Sequence, residues 1–330
     1  MMSCKEMIDV CLHHCPWGMR DTVSVYAPAN IALCKYWGKR DLALNLPVTD
    51  SLSISLGALG SHCTMSIADE DAYFLDGDPV APDEPFAKRL CAFLDLFRGK
   101  EGYQYRVEAV NTVATAAGFA SSASGFAAVV MALDQLHGWR LDARSFSIFA
   151  RMGSGSACRS LWHGLVHWHA GEKVDGSDCY AEPLRSDWKA LRVGLIAVDT
   201  GSKPISSREA MNRTVATSVL YNSWPQQVQQ DMATLLKALA AHDFETLGAC
   251  AEQNAMAMHA TMMAARPSVL YWRPSTLDVL HDVWAARSEG IPVYFTMDAG
   301  PNVKVLFPEA AQDAVQQRFP SVQITNPWSA

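Results

Sequence analysis

Between Thr115 and Gly125 the chain reads T-A-A-G-F-A-S-S-A-S-G, just after an alternating, strand-like run at Tyr103–Val110 and before a small-residue helical stretch at Gly125–Gly138. Small side chains packed into a strand-to-helix junction leave few folding options. The backbone can approach a ligand closely, and the free N–H groups and dipole of the helix start favour phosphate. Ser121, Ser122 and Ser124 add hydroxyl donors, which can also ligate Mg2+. The segment is not G-x-x-x-x-G-K-[ST], because no lysine follows, and it is not G-x-G-x-x-G. Residue types alone also admit a tight helix-packing interface.

Four further segments carry chemistry. Asn30-Ile31-Ala32-Leu33-Cys34-Lys35-Tyr36-Trp37-Gly38-Lys39-Arg40 gathers three cations and an aromatic pair after a strand that Pro28 should break. In a chain of formal charge −7 such a cluster suits an anionic ligand, although a solvated basic turn would read the same way. Gly153-Ser154-Gly155-Ser156-Ala157-Cys158-Arg159-Ser160 places hydroxyls beside one guanidinium, a fit for a carboxylate, or else a plain helix connection. Met297-Asp298-Ala299-Gly300-Pro301-Asn302 sets an acid at a strand end, placed to orient a hydroxyl or take its proton, or else to form an ordinary turn. Ser206-Ser207-Arg208-Glu209-Ala210-Met211 resembles a capped helix N-terminus with an arginine, a second anion site if it is more than a cap.

The remaining features mostly exclude. At 330 residues the chain exceeds one typical core, and 49% apolar against 18% charged residues is ordinary globular composition. No basic run suggests nucleic acid. Nine cysteines without a C-x-x-C pair fit a reduced, cytoplasmic setting. No apolar stretch is long enough to span a membrane, and residues 1–21 lack a signal-peptide pattern and read as an extension of unknown purpose. His163, His167 and His169 offer an H-x-x-x-H spacing, but a strand at Leu165–His169 would separate the pair and no nearby acid completes a set, so no metal site is assigned. Met256, Met258, Met262 and Met263 read as core filler.

Strand-like runs fall at 22–28, 52–56, 63–67, 191–198 and 291–297, the last paired with 304–307. Helical patterns fall at 86–98, about 142–152, and 207–262, which Pro225 should interrupt. Without regular βαβ alternation this is an α+β pattern. A polar linker at 171–187 is the candidate boundary, giving residues 1–21 as an extension, 22–185 as one domain and 186–330 as a second.

Taken in order, A-P-A-N-I-A-L-C-K-Y-W-G-K-R, L-P-V-T-D-S-L-S, T-A-A-G-F-A-S-S-A-S-G, G-S-G-S-A-C-R-S and D-A-G-P-N resemble the GHMP small-molecule kinase superfamily and, within it, its diphosphomevalonate decarboxylase branch. The resemblance runs from about Val23 to Phe307. It implies a ribosomal-protein-S5-domain-2-like N-terminal ATP-binding domain, a ferredoxin-like C-terminal α/β sandwich, and a cleft between them. It further implies ATP-dependent decarboxylation of (R)-5-diphosphomevalonate in the mevalonate pathway by way of a 3-phosphate, ATP with Mg2+, and a cytoplasmic homodimer. By resemblance Asp298, Lys39 and Arg159 are catalytic, and Tyr36, Lys39, Ser154, Ser156, Arg159, Ser207, Arg208 and Met211 hold substrate. Asn111, Ala117, Gly118, Ala120, Ser121, Ser122 and Ser124 surround ATP, with Ser122 a candidate Mg2+ ligand. Ala114, Thr49 and Phe119 depart from the usual pattern but remove no charged group. The alternatives are a phosphomevalonate decarboxylase, a mevalonate 3-kinase, or a non-catalytic precursor-binding protein.

Overall fold

The computed structural model describes residues 3–329 apart from 14, 17, 100, 113–120, 187, 200 and 202. Its first strand, β1 (Thr22–Cys34), does not stop at Pro28. The ladder instead shifts register between Pro28 and Asn30, and an edge strand with such an irregularity tolerates the missing N–H. The runs 52–56 and 63–67 likewise belong to one long strand, β4 (Ser51–Ala68). Between those two runs Gly57 bends the strand at φ +61 beneath the C-terminal tail, where a Cβ would lie 2.1 Å from the Asn326 carbonyl. Between β1 and β4 a short hairpin forms from β2 (Lys39–Asp41) and β3 (Leu46–Pro47).

β4 carries β1 on one edge and shares the other. Its second half pairs with β7 (Gln104–Asn111) and its first half with β8 (Leu165–Trp168). β5 (Ala72–Leu75), β6 (Asp78–Pro79) and β9 (Ala181–Pro183) complete a seven-stranded sheet. β9 lies inside 171–187, so that stretch is partly built into the sheet rather than being a free linker. Helices α1 (Cys4–Leu12), α2 (Pro85–Leu94), α3 (Ser121–His137) and α4 (Ala143–Gly153) share a core with it, including Ile8, Val25, Met65, Leu90, Phe93, Leu133 and Phe149. α1 thus gives the N-terminal extension a packing role: Ser3 caps it and Met7, Ile8 and Leu12 are buried.

The second sheet is antiparallel, in the order β11 (Tyr294–Thr296), β12 (Val303–Pro308), β10 (Leu191–Ile196), β13 (Gln323–Thr325). The helical zone resolves into α5 (Ser207–Thr217), a 3-10 turn (Val219–Ser223), α6 (Trp224–Ala241) and α7 (Phe244–Met263). Pro225 starts α6 rather than kinking a longer helix, because the first turn has no N–H bond to lose. His242, left-handed at φ 53, closes α6. α8 (Pro274–Ser288) and α9 (Gln312–Arg318) finish the half, and Met258 and Met262 are core residues as their spacing suggests. One core crosses both sheets, joining Ile31, Leu52 and Leu165 to Val193, Met211, Trp224 and Met258. The tail seals the join, with Thr325 Oγ1 donating to the Leu56 carbonyl at 2.6 Å. The architecture is α+β, and no described helix is long and apolar enough to cross a membrane.

Gly38 sits at the turn that presents Lys39, at φ +122, and a Cβ there would lie 1.7 Å from the Tyr221 hydroxyl. Tyr221 is buried and donates to the Trp37 carbonyl at 3.0 Å, so it has little freedom to retreat. Gly38→Ala should therefore cost about 2–3 kcal/mol of stability in urea unfolding. Adding Tyr221→Phe should recover part of the loss by removing the clashing oxygen. A Gly38→Ala protein as stable as the parent would refute the close approach.

Candidate active site

Three segments far apart in sequence meet at Asp298. β11 ends at Thr296, and the following turn is fastened by Asn302, whose Oδ1 accepts from the Val198 and Asp199 N–H groups at 2.7 and 3.0 Å. His259, buried in α7, donates from Nε2 to the Asp298 carbonyl at 3.1 Å. Burial holds its imidazole at about 3, so it stays neutral. Lys35, just past β1, is 1% exposed. Its Nζ donates to Asp298 Oδ1 at 3.0 Å and to the Ala32 carbonyl at 2.8 Å, while its N–H is held by Asn254 Oδ1. Lys304, on β12, lies 3.8 Å from the other Asp298 oxygen.

Burial alone would raise the Asp298 pKa, but the Lys35 and Lys304 charges outweigh it and hold the carboxyl below the usual range. Burial holds Lys35 at about 8 despite that same ion pair. The side chain of Asp298 keeps 30% exposure, so one edge of an ionised carboxylate faces the cleft.

Arg159 closes the second side. Asp142 caps α4 by accepting the Ser145 N–H, and α4 ends at Ser154, where the chain tightens into a 3-10 turn (Gly155–Arg159). Arg159 is 5% exposed; its Nη1 donates to Ser51 Oγ at 2.7 Å and its guanidinium lies 5.7 Å from the Trp168 ring centre. Its Nε and the Tyr36 hydroxyl are buried without a hydrogen-bond partner. Two buried donors left open is an expensive arrangement unless a ligand completes it. Arg159 and Asp298 also lie within electrostatic reach of each other. Ser154 and Ser156 hydroxyls are 3.3 Å apart beside this turn.

A third group is purely cationic. Lys39 donates to Asn45 Oδ1 at 2.5 Å; burial, then Arg208 and Arg89, lower it to about 8. Arg89, from α2, donates to the Gly153 carbonyl at 3.0 Å and stacks 4.6 Å over Phe126. Among the described residues none of these three cations is ion-paired with a carboxylate. Ser207 and Arg208 open α5, capped by Ser206, which accepts the Glu209 N–H. The Met211 side chain, 6% exposed, packs in the core, so only its backbone is left to face a ligand.

Arg89 also lines a cavity of about 320 Å³, whose walls include Leu75, Phe86, Leu90, Val107 and Val129, with Asn111 and Ser122 as its uncharged polar members. Asn111 Oδ1 accepts from Ser61 Oγ at 2.7 Å, and Ser61 and Ser124 hydroxyls are 2.8 Å apart. Ser124, 1% exposed, therefore anchors Asn111 from below. Ala117, Gly118, Ala120 and the Ser121 side chain lie outside the described residues. Sequence reading gave no site role to Lys304, Arg89, His259 or Asn30, whose Nδ2 donates to Ser160 Oγ at 2.6 Å. It also singled out Lys39 as the catalytic lysine, whereas the ammonium that touches Asp298 belongs to Lys35.

An apolar cavity with Arg89 on its wall, and an acid held by two buried lysines, define an enzyme class that handles phosphorylated anions. Comparison with known proteins narrows this class. Residues 27–181 match the diphosphomevalonate decarboxylase-like N-terminal domain, and residues 193–326 match the mevalonate 5-diphosphate decarboxylase C-terminal domain. Diphosphomevalonate decarboxylase of Aspergillus fumigatus is 35% identical over 315 residues, covering 88% of this chain and 77% of that one. The mevalonate diphosphate decarboxylase structure from Staphylococcus aureus superposes with a TM-score of 0.88 at 32% identity, covering 94% and 96% of the two chains. A complex of MDDEF with MVAPP, AMPPCP and magnesium gives 0.86 at 37% identity, covering 92% and 96%. The chain belongs to the diphosphomevalonate decarboxylase family.

Proposed function

We propose that the protein converts (R)-5-diphosphomevalonate and ATP to isopentenyl diphosphate, CO2, ADP and phosphate, as an enzyme of the mevalonate pathway. The observation that carries this reading is the pair of open buried donors, Arg159 Nε and the Tyr36 hydroxyl, with Arg159 within electrostatic reach of the ionised Asp298. A plain kinase would need the acid but not a second buried grip. That grip suits the substrate carboxylate, which a guanidinium holds in two parallel bonds.

In this reading the nucleotide base occupies the apolar cavity, Asn111 and Ser122 face the triphosphate together with residues 117–121, and Ser124 supports them from beneath. The residues fit Mg2+, since Ser122 supplies a hydroxyl at the cavity wall and hard cations take oxygen ligands. Bound there, Mg2+ would neutralise charge on the phosphates. Lys39, Arg89, Arg208, Ser154, Ser156 and Ser207 take the substrate diphosphate. Asp298 orients the C3 hydroxyl toward the γ-phosphorus. With so low a pKa it is a weak base, so the proton moves to it only as the O–P bond forms and the bond from the γ-phosphorus to the bridging oxygen breaks, its electron pair leaving on ADP. The C3–O bond then breaks with its electron pair leaving on phosphate. The C1–C2 pair becomes the new double bond as CO2 departs. Residues 22–185 would thus serve ATP, and 186–330 would supply Asp298 and one wall of the diphosphate site. All nine cysteines are unpaired, which supports a cytoplasmic setting; the assignment as a homodimer follows the family resemblance.

The reading ranks substrates by charge. In a panel of mevalonate, its 5-phosphate and its 5-diphosphate, the diphosphate should give the highest kcat/KM, by at least about a hundredfold over the monophosphate. A preference for the monophosphate would turn the assignment to a phosphomevalonate decarboxylase. The same cations set a pH dependence. In the free protein Lys39 is charged below about pH 8 and neutral above it. A polyanion selects the charged form, so KM should be level below that point and rise above it by up to about tenfold per pH unit. Lys39→Arg should remove the rise. A KM that does not change across this range in the parent protein would contradict the placement of Lys39.

A further inference from the structure

On the opposite side of β8 from Trp168, and so back to back with the Arg159 site, a second constellation lies outside everything used above. Side chains alternate along a strand, so His167 and His169 share the face that Trp168 leaves. Their ring centres are 3.9 Å apart. Asp50, from the turn before β4, brings Oδ2 to 3.0 Å from His167 Nε2, and its Oδ1 accepts the Ala170 N–H at 2.7 Å. One nitrogen from each histidine and one Asp50 oxygen lie within 4.8 Å of one another. Glu182, on the paired strand β9, accepts from His169 Nε2 at 2.9 Å, the kind of carboxylate that fixes a metal-bound imidazole.

We propose that Asp50, His167 and His169 form a binding site for a divalent transition metal of the zinc class, separate from the Mg2+ of the nucleotide. Two imidazoles and one carboxylate favour zinc, cobalt or nickel; Mg2+ prefers an all-oxygen set. Ligands about 2.1 Å from a tetrahedral ion lie roughly 3.4 Å apart; the Asp50 and His167 atoms are already that close, and the widest pair of the set, within 4.8 Å, has only about 1.4 Å or less to close. The backbone beneath them is held, because Arg40 Nη2 donates to the Ala170 and Gly171 carbonyls. The side chains of Asp50 and His169 are 39% and 30% exposed, which leaves them room to rotate inward and leaves an entry path for the ion. The H-x-x-x-H spacing noticed in the sequence pointed to the wrong pair; the working pair is i, i+2 on a strand, and the acid comes from Asp50, far away in the chain. Metal binding would also brace the turn that carries Ser51, which holds Arg159.

The test is a Co2+ titration of untagged, full-length protein without nucleotide. The expected result is one saturating equivalent with the visible bands of nitrogen and oxygen ligation and no thiolate-to-cobalt charge-transfer band. His169→Gln, at a partly exposed position that leaves the fold intact by circular dichroism, should weaken binding by at least about tenfold, and His167→Gln should do the same. X-ray absorption of the zinc-loaded parent should show two imidazoles. A thiolate band, binding unchanged in both variants, or no saturable binding in the parent overturns the proposal.

Discussion

Asp298→Asn should lower turnover by about three orders of magnitude while ATP affinity stays within a factor of a few. The substitution keeps the shape of the side chain but removes the base that takes the C3 hydroxyl proton, a contribution of roughly 10²–10⁴ in rate where a positioned group handles the proton. It also strips the counter-charge from Lys35 and Lys304, which are 1% and 2% exposed. Breaking one side of a buried pair leaves an uncompensated charge and costs about 3–5 kcal/mol. The variant should therefore melt at a lower temperature, and less so at alkaline pH: burial already lowers Lys35, and loss of the Asp298 charge that raises it lets the ammonium give up its proton more readily. Nucleotide affinity of the folded fraction separates the two effects, since the nucleotide cavity is lined by residues of the first sheet and its helices. A folded variant that keeps near-parental turnover would remove Asp298 from the chemistry.

Arg159→Lys should raise KM for the diphosphate substrate by about 10- to 100-fold with a smaller change in kcat. Lysine keeps the charge but cannot offer two parallel donors, and one charge-assisted hydrogen bond is worth about 1.5–3 kcal/mol. The loss falls on KM because the carboxylate is gripped before any bond breaks. An ammonium at this position would also leave Ser51 Oγ and the Trp168 face without their planar partner. Unchanged steady-state constants for Arg159→Lys would mean that the carboxylate binds elsewhere.

Much of this site was legible in the sequence because its motifs carry their own local structure. The G-S-G-S-A-C-R-S run reads as the connection that follows a helix, and D-A-G-P-N as a turn at a strand end, and both elements are found there. What the sequence could not give was which charges meet. Lys35 and Asp298 are 263 residues apart, and the spacing of Lys35 and Lys39 in K-Y-W-G-K does not say which one turns inward. Gly38 decides it, because its positive φ sends Lys39 toward Asn45 and Arg208 while Lys35 stays under β1. Arg89 sits on a helix whose exposed face looks like any other solvated one, and only the fold brings it over Phe126. Pro28 misled for a related reason. A proline ends a central strand but not an edge strand, and the place of β1 in the sheet is a property of the whole topology.

Phosphorylation and loss of CO2 are then two steps at one site, served by one acid and one guanidinium. The direct measurement follows ADP and CO2 together from 5-diphosphomevalonate and ATP. Equal amounts of both are expected, with isopentenyl diphosphate as the organic product, and neither when ATP is omitted. ADP formed with a stable phosphorylated acid and no CO2 would contradict this.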